Sequence, residues 1–333
     1  MTAWTKELVQ KHAQVAAAVE LYTIPLYTTI MTSIKNDSCD AYKIFHGILI
    51  EEMMHLQLAA NLCLALDTTP NFQFPAYGTD IPYLKPGTVL NANMGPLNAD
   101  SLNTVLAIET PEGTLGAIDP TPNGNTTPNY PYSSIEEMYN AVLFGIQTVG
   151  TSQFSWTTRN QQARWRQQGY PQVICNVDDA KKAVTAIKEQ GEGGHIAPDV
   201  KPPYKPSDFP VSPQCQMDNR APAGAHSAPF QEIMLKQYSH FGRLLCIKQT
   251  TLPDVHTGQF NPTHPTNQEL QSKFMAMIGS LNPLWTLNQG SLMSPESLWR
   301  TALDTMRDSV KLARQCWQQG VIPTWFHLDV NII

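Results

Sequence analysis

Glu52 and His55 stand three residues apart inside the apolar stretch from Tyr42 to Leu66, and no other feature restricts the fold of this chain as strongly. The stretch has the length and composition of a buried helix. On a helix that spacing sends both side chains out of one side, one turn apart. Burying a carboxylate and an imidazole among Leu, Met, Ile and Ala is costly unless something satisfies them. A transition-metal ion does so, because it accepts carboxylate oxygen and imidazole nitrogen together. Glu-x-x-His by itself recurs by chance in many helices, so its weight depends on what accompanies it.

The chain of 333 residues is long enough for a large core. Its first 67 residues read as two long helices. Trp4 to Ile34 carries Leu8, Val15, Ala18 and Leu21 at helical spacing; Pro25 should kink this helix rather than end it, since the pattern resumes at Leu26 and Ile30. Lys35 to Ser38 is the turn, with Asp37 or Ser38 as cap for a second helix that runs to about Leu66. Residues 68–132 are rich in Pro, Gly and Asn, with one short helix expected at 99–109. Ser134 followed by Glu137 is a capping-box pattern opening a third helix. Asp178 opens another that stops at Gly191. After a proline-rich loop, PFQEIMLKQYSHFGRLLCI is amphipathic, and two further helices are expected at 267–279 and 295–318. No strand pattern is strong enough to imply a sheet.

Polar residues recur inside these apolar helices. Glu20 lies between VAAAV and LYTIPLY, where the bland alternative is snorkelling or a lysine partner. Gln237 and His240 repeat the three-residue spacing, with Gln where a second Glu-x-x-His has Glu. Glu137 offers a carboxylate from the third helix. In chain order, Glu20, Glu52 with His55, Glu137, and Gln237 with His240 follow the layout of a four-helix dimetal bundle. Glu192, in EQGEGG, is either a solvent-exposed acid at a helix stop or a carboxylate that replaces the one missing at Gln237, with the glycines bringing backbone close. Tyr22, Tyr27, Met53 and Met54 read as core packing.

The balance of charge is acidic, a net −6 with 15% charged residues, and no basic run is present, which argues against a nucleic-acid partner. Six cysteines show no CxxC or regular framework, and Cys63, Cys246 and Cys316 read as buried thiols. The segment MTAWTKELVQKH is polar and amphipathic, unlike a signal peptide, and no apolar run is expected to span a membrane. A cytoplasmic protein is the expectation.

The segments ELYTIPLYTTIMTSI, EEMMHLQLAANLCLAL, FPAY, LAIETPEG, SIEEMY, DDAKKAVTAIKEQGEGG and YSHFGRLLCI, in that order, resemble the ferritin-like domain of iminophenylpyruvate dimer synthases. Those proteins couple two imines derived from oxidised tryptophan in violacein and indolocarbazole biosynthesis. The resemblance spans about residues 5–318. It departs at Gln237, where the family's last motif carries Glu, and at Gly242, where a bulky aromatic is usual; the glycine should enlarge a cavity beside the site.

The expected architecture is one all-α domain over residues 1–333, a ferritin-like four-helix bundle with long loop insertions and extra C-terminal helices. Its bundle helices are placed at 4–34, 39–66, 134–149 and 228–248, its insertions at 68–132 and 195–227, and its closing helices within 267–318. The expected function is a non-haem metal-dependent oxidase or oxygenase acting on a small amino-acid-derived or natural-product substrate, including oxidative coupling of imines. Glu20, Glu52, His55, Glu137, His240 and Glu192 would hold one or two iron ions, with manganese as the alternative metal. Glu192, Gln237 and Tyr238 are the candidate catalytic groups, and Tyr22, Tyr238 or Trp165 candidate electron relays. The competing readings are a silent ferritin-like metal- or ligand-binding protein and a metal-free acid/base cyclase. A small-molecule partner is expected, no membrane partner, and a homo-oligomer is allowed.

Overall fold

The computed structural model describes residues 3–72, 77, 94–111, 128, 132, 134–164, 172–193, 200–215, 238–286 and 293–326. Among them lie eight α-helices and no β-strand: α1 Lys6–Ser33, α2 Asp40–Ala65, α3 Ala99–Ile108, α4 Ile135–Val149, α5 Val177–Gly191, α6 His240–Lys248, α7 Pro265–Thr286 and α8 Pro295–Gln318.

Local chemistry accounts for most boundaries. Thr5 caps α1 by accepting from the Leu8 amide, and the helix runs on through Pro25 as its spacing predicts. Just after the proline, the Thr28 and Thr29 hydroxyls bond back to the carbonyls of Ile24 and Pro25, so both hydroxyls are satisfied inside the buried helix. At α2 neither expected cap operates: Cys39 is the cap residue, with no side-chain cap bond. Asp67 ends α2 in the left-handed region at φ 61°, a conformation Asp tolerates better than most residues. Its carboxylate accepts from Lys6 at 2.6 Å, tying the start of α1 to the end of α2. Ser134 caps α4 at the Glu137 amide, 3.0 Å, as its position suggests. α7 continues past Gly279 and Pro283, well beyond the expected stop at 279, because Leu281, Leu284 and Trp285 add a further buried face.

Contacts among α1, α2, α5 and α4 close a ring, α1 against α2 and α4, α5 against α2 and α4. α6, expected as the last bundle helix from 228, is instead described only from His240, and packs on α2, α3 and α5. Residues 228–237 lie outside the described residues. α7 and α8 form a second extensive pair that leans on α1, where the Trp317 and Trp325 indoles donate to the carbonyl and the hydroxyl of Thr29. On α2, Asn61 uses both of its polar atoms twice. It donates to the carbonyls of Gln162 and Gln172, and accepts from the Gln162 amide and the Trp285 indole. This satisfied amide ties α2 to Gln162, to Gln172 and to α7.

Contrary to the expectation above, α1 and α2 are both long and apolar enough to cross a membrane by length and composition. In the fold 94% of each apolar window is buried, so the two serve as its central core helices.

Candidate metal centre

α1 and α2 are buried almost all round, so any acid they carry must be answered by a neighbour. α1 supplies Glu20 and Thr23, and α2 supplies Glu51, Glu52 and His55. α3 ends at Glu109, and α6 begins at His240 with Ser239 as its cap. Glu20, Glu51, Glu52, His55 and His240 are each 3% exposed or less. This is a cluster of charge in the driest part of the molecule.

Glu52 sits at its centre. One carboxylate oxygen, Oε1, lies 2.9 Å from His240 Nδ1 and 3.6 Å from His55 Nδ1, while the other accepts from the Thr23 hydroxyl at 2.5 Å. His240 Nδ1 is also 3.3 Å from Glu109 Oε1, and His55 Nδ1 is 3.8 Å from Glu20 Oε2. The two imidazoles stack with centroids 5.3 Å apart. Ligand atoms about 2.0–2.2 Å from one ion stand roughly 3.0–3.5 Å from each other, and the four separations here bracket that range. The 3.6 and 3.8 Å separations are too long for hydrogen bonds.

The far side of each ring fixes its orientation. His55 Nε2 lies 2.8 Å from Gln190 Oε1, and the Gln190 amide nitrogen donates to the Cys215 carbonyl. That amide therefore presents oxygen to His55, which donates from Nε2 and turns Nδ1 toward Glu20 and Glu52. A ring nitrogen and two carboxyl groups aimed at one point can be joined by a shared cation, and this is the fit test a metal passes. A second observation agrees: Glu192 Oε2 is buried without a hydrogen-bond partner among the described residues. Its other oxygen accepts from the Glu136 amide in the first turn of α4 at 3.0 Å.

Glu20, Thr23, Glu52, His55, Glu109, Tyr139, Lys188, Gly191 and Glu192 line one recess. Tyr139 donates to Glu20 at 2.5 Å, and the Tyr27 hydroxyl donates to Glu109. Burial raises Glu20 to about 8, and the nearby Glu52 and Glu109 add to this against the pull of His55. Burial would also raise Glu52, but the hydrogen bond from His240 and the nearby His55 ring outweigh it and hold this carboxyl at about 2. Glu192 is pushed well above the carboxylate range by burial and by Glu136. Burial disfavours charge on His240, yet Glu109, Glu51 and Glu52 around it raise it well above the usual imidazole range.

The structure brings Glu20, Glu52, His55, His240 and Glu192 together. It does not bring Glu137 to the recess. Ile135 and Tyr139, four residues apart, form the α4 face that lines it; Glu137 is two positions from each, about 200° round the helix. α4 thus contributes a tyrosine rather than a ligand. Glu109 takes the carboxylate position expected of Glu137. Sequence reasoning passed over it because it closes a ten-residue helix whose inward direction no pattern reveals. Glu51 was also missed, though a second acid in an all-apolar helix was a usable signal.

The helix that carries His240 does not extend back through the described residues before it: Tyr238 bridges Pro210 and Ser239 is a cap at ψ 171°. Gln237 and Trp165 lie outside the described residues. Tyr238 does not line the recess. Nor does Gly242 open a cavity. A Cβ there would stand 2.8 Å from the Pro206 carbonyl oxygen, so the glycine admits the 206–209 backbone, not a ligand. The Ser239 amide donates to Phe209 in the same clamp, at 2.9 Å, which holds His240 in place. The expectation for the EQGEGG glycines fares better: a Cβ on Gly191 would lie 3.1 Å from Glu109 Oε2.

A family model described as "Ferritin-like" matches residues 13–235. The crystal structure of a ferritin-like protein from Caulobacter vibrioides aligns with a TM-score of 0.73 at 21% identity, covering 98% of this chain and 100% of that one. At that identity the likeness is one of fold. No curated protein matches the chain.

Proposed function

The chain belongs to the ferritin-like family, and from that and the geometry of its buried centre we propose a non-haem metal-dependent oxidase or oxygenase. Its metal is iron, one or two ions, with manganese as the alternative. The observation that carries the proposal is the pair of imidazoles that both turn Nδ1 toward Glu52. Glu52, His55 and His240 form the tightest donor set, with their ligand atoms within 4.8 Å of one another. Glu20 and Glu109 complete the two ends, and Glu192 offers its unpartnered oxygen as a further ligand.

Bound iron would supply one-electron exchange with dioxygen or a peroxide. The protein's own residues do the rest. Glu52 spans both histidines, while Tyr139 and Tyr27 hold Glu20 and Glu109 in fixed rotamers through their hydroxyls. Ile135 and Ile187 give the recess an apolar side, and Lys188 is the one lysine or arginine on its wall among the described residues. The substrate class that fits the sequence resemblance is a small amino-acid-derived compound, with oxidative coupling of imines as the reaction and the cytoplasm as its place. Elemental analysis of purified protein together with oxygen uptake tests this. Stoichiometric iron or manganese with metal-dependent oxygen consumption is expected, and protein that neither retains nor rebinds either metal would overturn it.

One observation favours a second reading. Glu20 near 8 and Glu52 near 2 are a carboxyl pair driven apart by their surroundings, an arrangement suited to acid/base work. In that case Glu20 would hold the proton to be given and Glu52 would stay ionised beside it, and chelated protein would keep its full turnover.

A further inference from the structure

The two histidines of the centre have different supports on their outer edges. His55 faces the neutral amide of Gln190. His240 Nε2 faces a charged group, Glu51 Oε2, at 3.1 Å. The same oxygen is ion-paired with the Arg243 guanidinium, and Glu51, Arg243 and His240 are each 1% exposed or less. Arg243 lies one helical turn beyond His240 on α6, and its Nε also reaches the Ser239 carbonyl at 3.4 Å. Its position is therefore set by the cap of the helix that carries His240.

Resting on the metal reading above, we infer that Glu51, clamped by Arg243, is a positioning residue that keeps the Nε2 proton on His240 and so commits Nδ1 to the metal. A carboxylate hydrogen-bonded to the outer nitrogen fixes the ring and strengthens its donor nitrogen. Glu51 does this from the helix that supplies Glu52, one residue away, so a single element sets both a ligand and the orienting group of its neighbour. Arg243 cancels the charge of Glu51 and holds its carboxylate away from the ion. Without that clamp Glu51 would compete with Glu52 and Glu109 for the Nδ1 side of the ring. A purely structural ion pair joining α2 to α6 would stabilise the fold but leave the ring proton and the metal affinity unaffected.

Zinc is the probe for the test, being diamagnetic and free of redox chemistry. In zinc-loaded protein, nitrogen-15 NMR of the histidine rings should show His240 protonated at Nε2 and metal-bound at Nδ1. Glu51→Leu combined with Arg243→Met removes both charges at once, which avoids stranding a buried arginine. Zinc affinity in this variant should fall about 10- to 100-fold, with Glu51→Gln alone falling between it and wild type. The Nε2 proton of His55 should be unchanged in every variant. A His240 proton found on Nδ1, or a double variant binding zinc as tightly as wild type, would overturn the inference while leaving the metal centre standing. Failure of wild type to bind zinc would remove the metal reading and this inference with it. Should the double variant not fold, the ring assignments in wild type decide alone.

Discussion

Glu109 and Glu137 show how much one position on a helix decides. Both are buried acids near the same recess, but Glu109 lies 3.3 Å from a histidine nitrogen while Glu137 sits on the opposite side of α4 from the lining residues. Replacing each with glutamine removes charge at nearly constant volume. Glu109→Gln is expected to lower metal affinity by at least 10-fold, because it weakens a donor at the His240 end. Glu137→Gln should leave affinity within about twofold. Isothermal titration with zinc or iron(II) checks both, and equal losses in the two variants would return Glu137 to the ligand set. Gly191 belongs to the same scale. Its missing Cβ leaves the Glu109 carboxylate the space it occupies, so Gly191→Ala should perturb metal binding without contributing any ligand of its own.

At the scale of elements, the centre depends on how two short helices end. α3 stops at Glu109 and α6 starts at His240, and the two helices pack on each other so that Glu109 reaches His240 beside α2. Ser239 holds the start of α6 through the Gly242 amide at 3.2 Å. Ser239→Ala should cost about 1 kcal/mol of stability, read from urea denaturation, the usual value of a lost cap. It should also loosen metal binding, because His240 is the first residue past the cap. The other end of the bundle offers a pH test. Burial works to raise Asp67, but hydrogen bonds from Lys6 and Ser155 dominate and hold it below the usual carboxylate range. A depressed carboxyl stabilises the fold fully above the unfolded value, about 3.9, and loses that contribution as pH falls through the folded value. Asp67→Asn should therefore lower stability at neutral pH and flatten the acid limb below about pH 4. Thermal melts from pH 7 downward measure both.

For the molecule as a whole, the acids gathered between α1, α2, α3 and α5 make the centre the least favourable part of the fold when no cation balances it. Binding that favours the folded state adds stability by mass action, about 2.7 kcal/mol at a ligand concentration one hundred times Kd. The melting temperature is expected to rise with added iron(II), manganese or zinc and to fall on chelation, with the circular-dichroism spectrum nearly unchanged because the apolar faces of α1, α2, α7 and α8, not the ion, carry most of the helix packing. A melting temperature indifferent to all three metals would contradict a buried centre that needs a cation.

The sequence determined the helical content, the two long core helices, the caps at Ser134 and the run through Pro25. It also marked Glu20, Glu52, His55 and His240 as misplaced polar groups, and offered Glu192 as one of two alternatives. These follow from local periodicity and from the cost of burying charge, both of which a single strand of text displays. Which acids face one another was decided only in three dimensions. Glu109 enters, and Glu137 leaves, because the rotation of α4 and the end of α3 are set by packing against α1 and α6. Gln190 becomes the support of His55 only because α5 lies beside α2, 135 residues away in the chain. Gly242 proved to be a point of backbone approach rather than a cavity for the same reason: its neighbours, Pro206 and Phe209, are set beside it by the fold and cannot be read from the residues on either side of it.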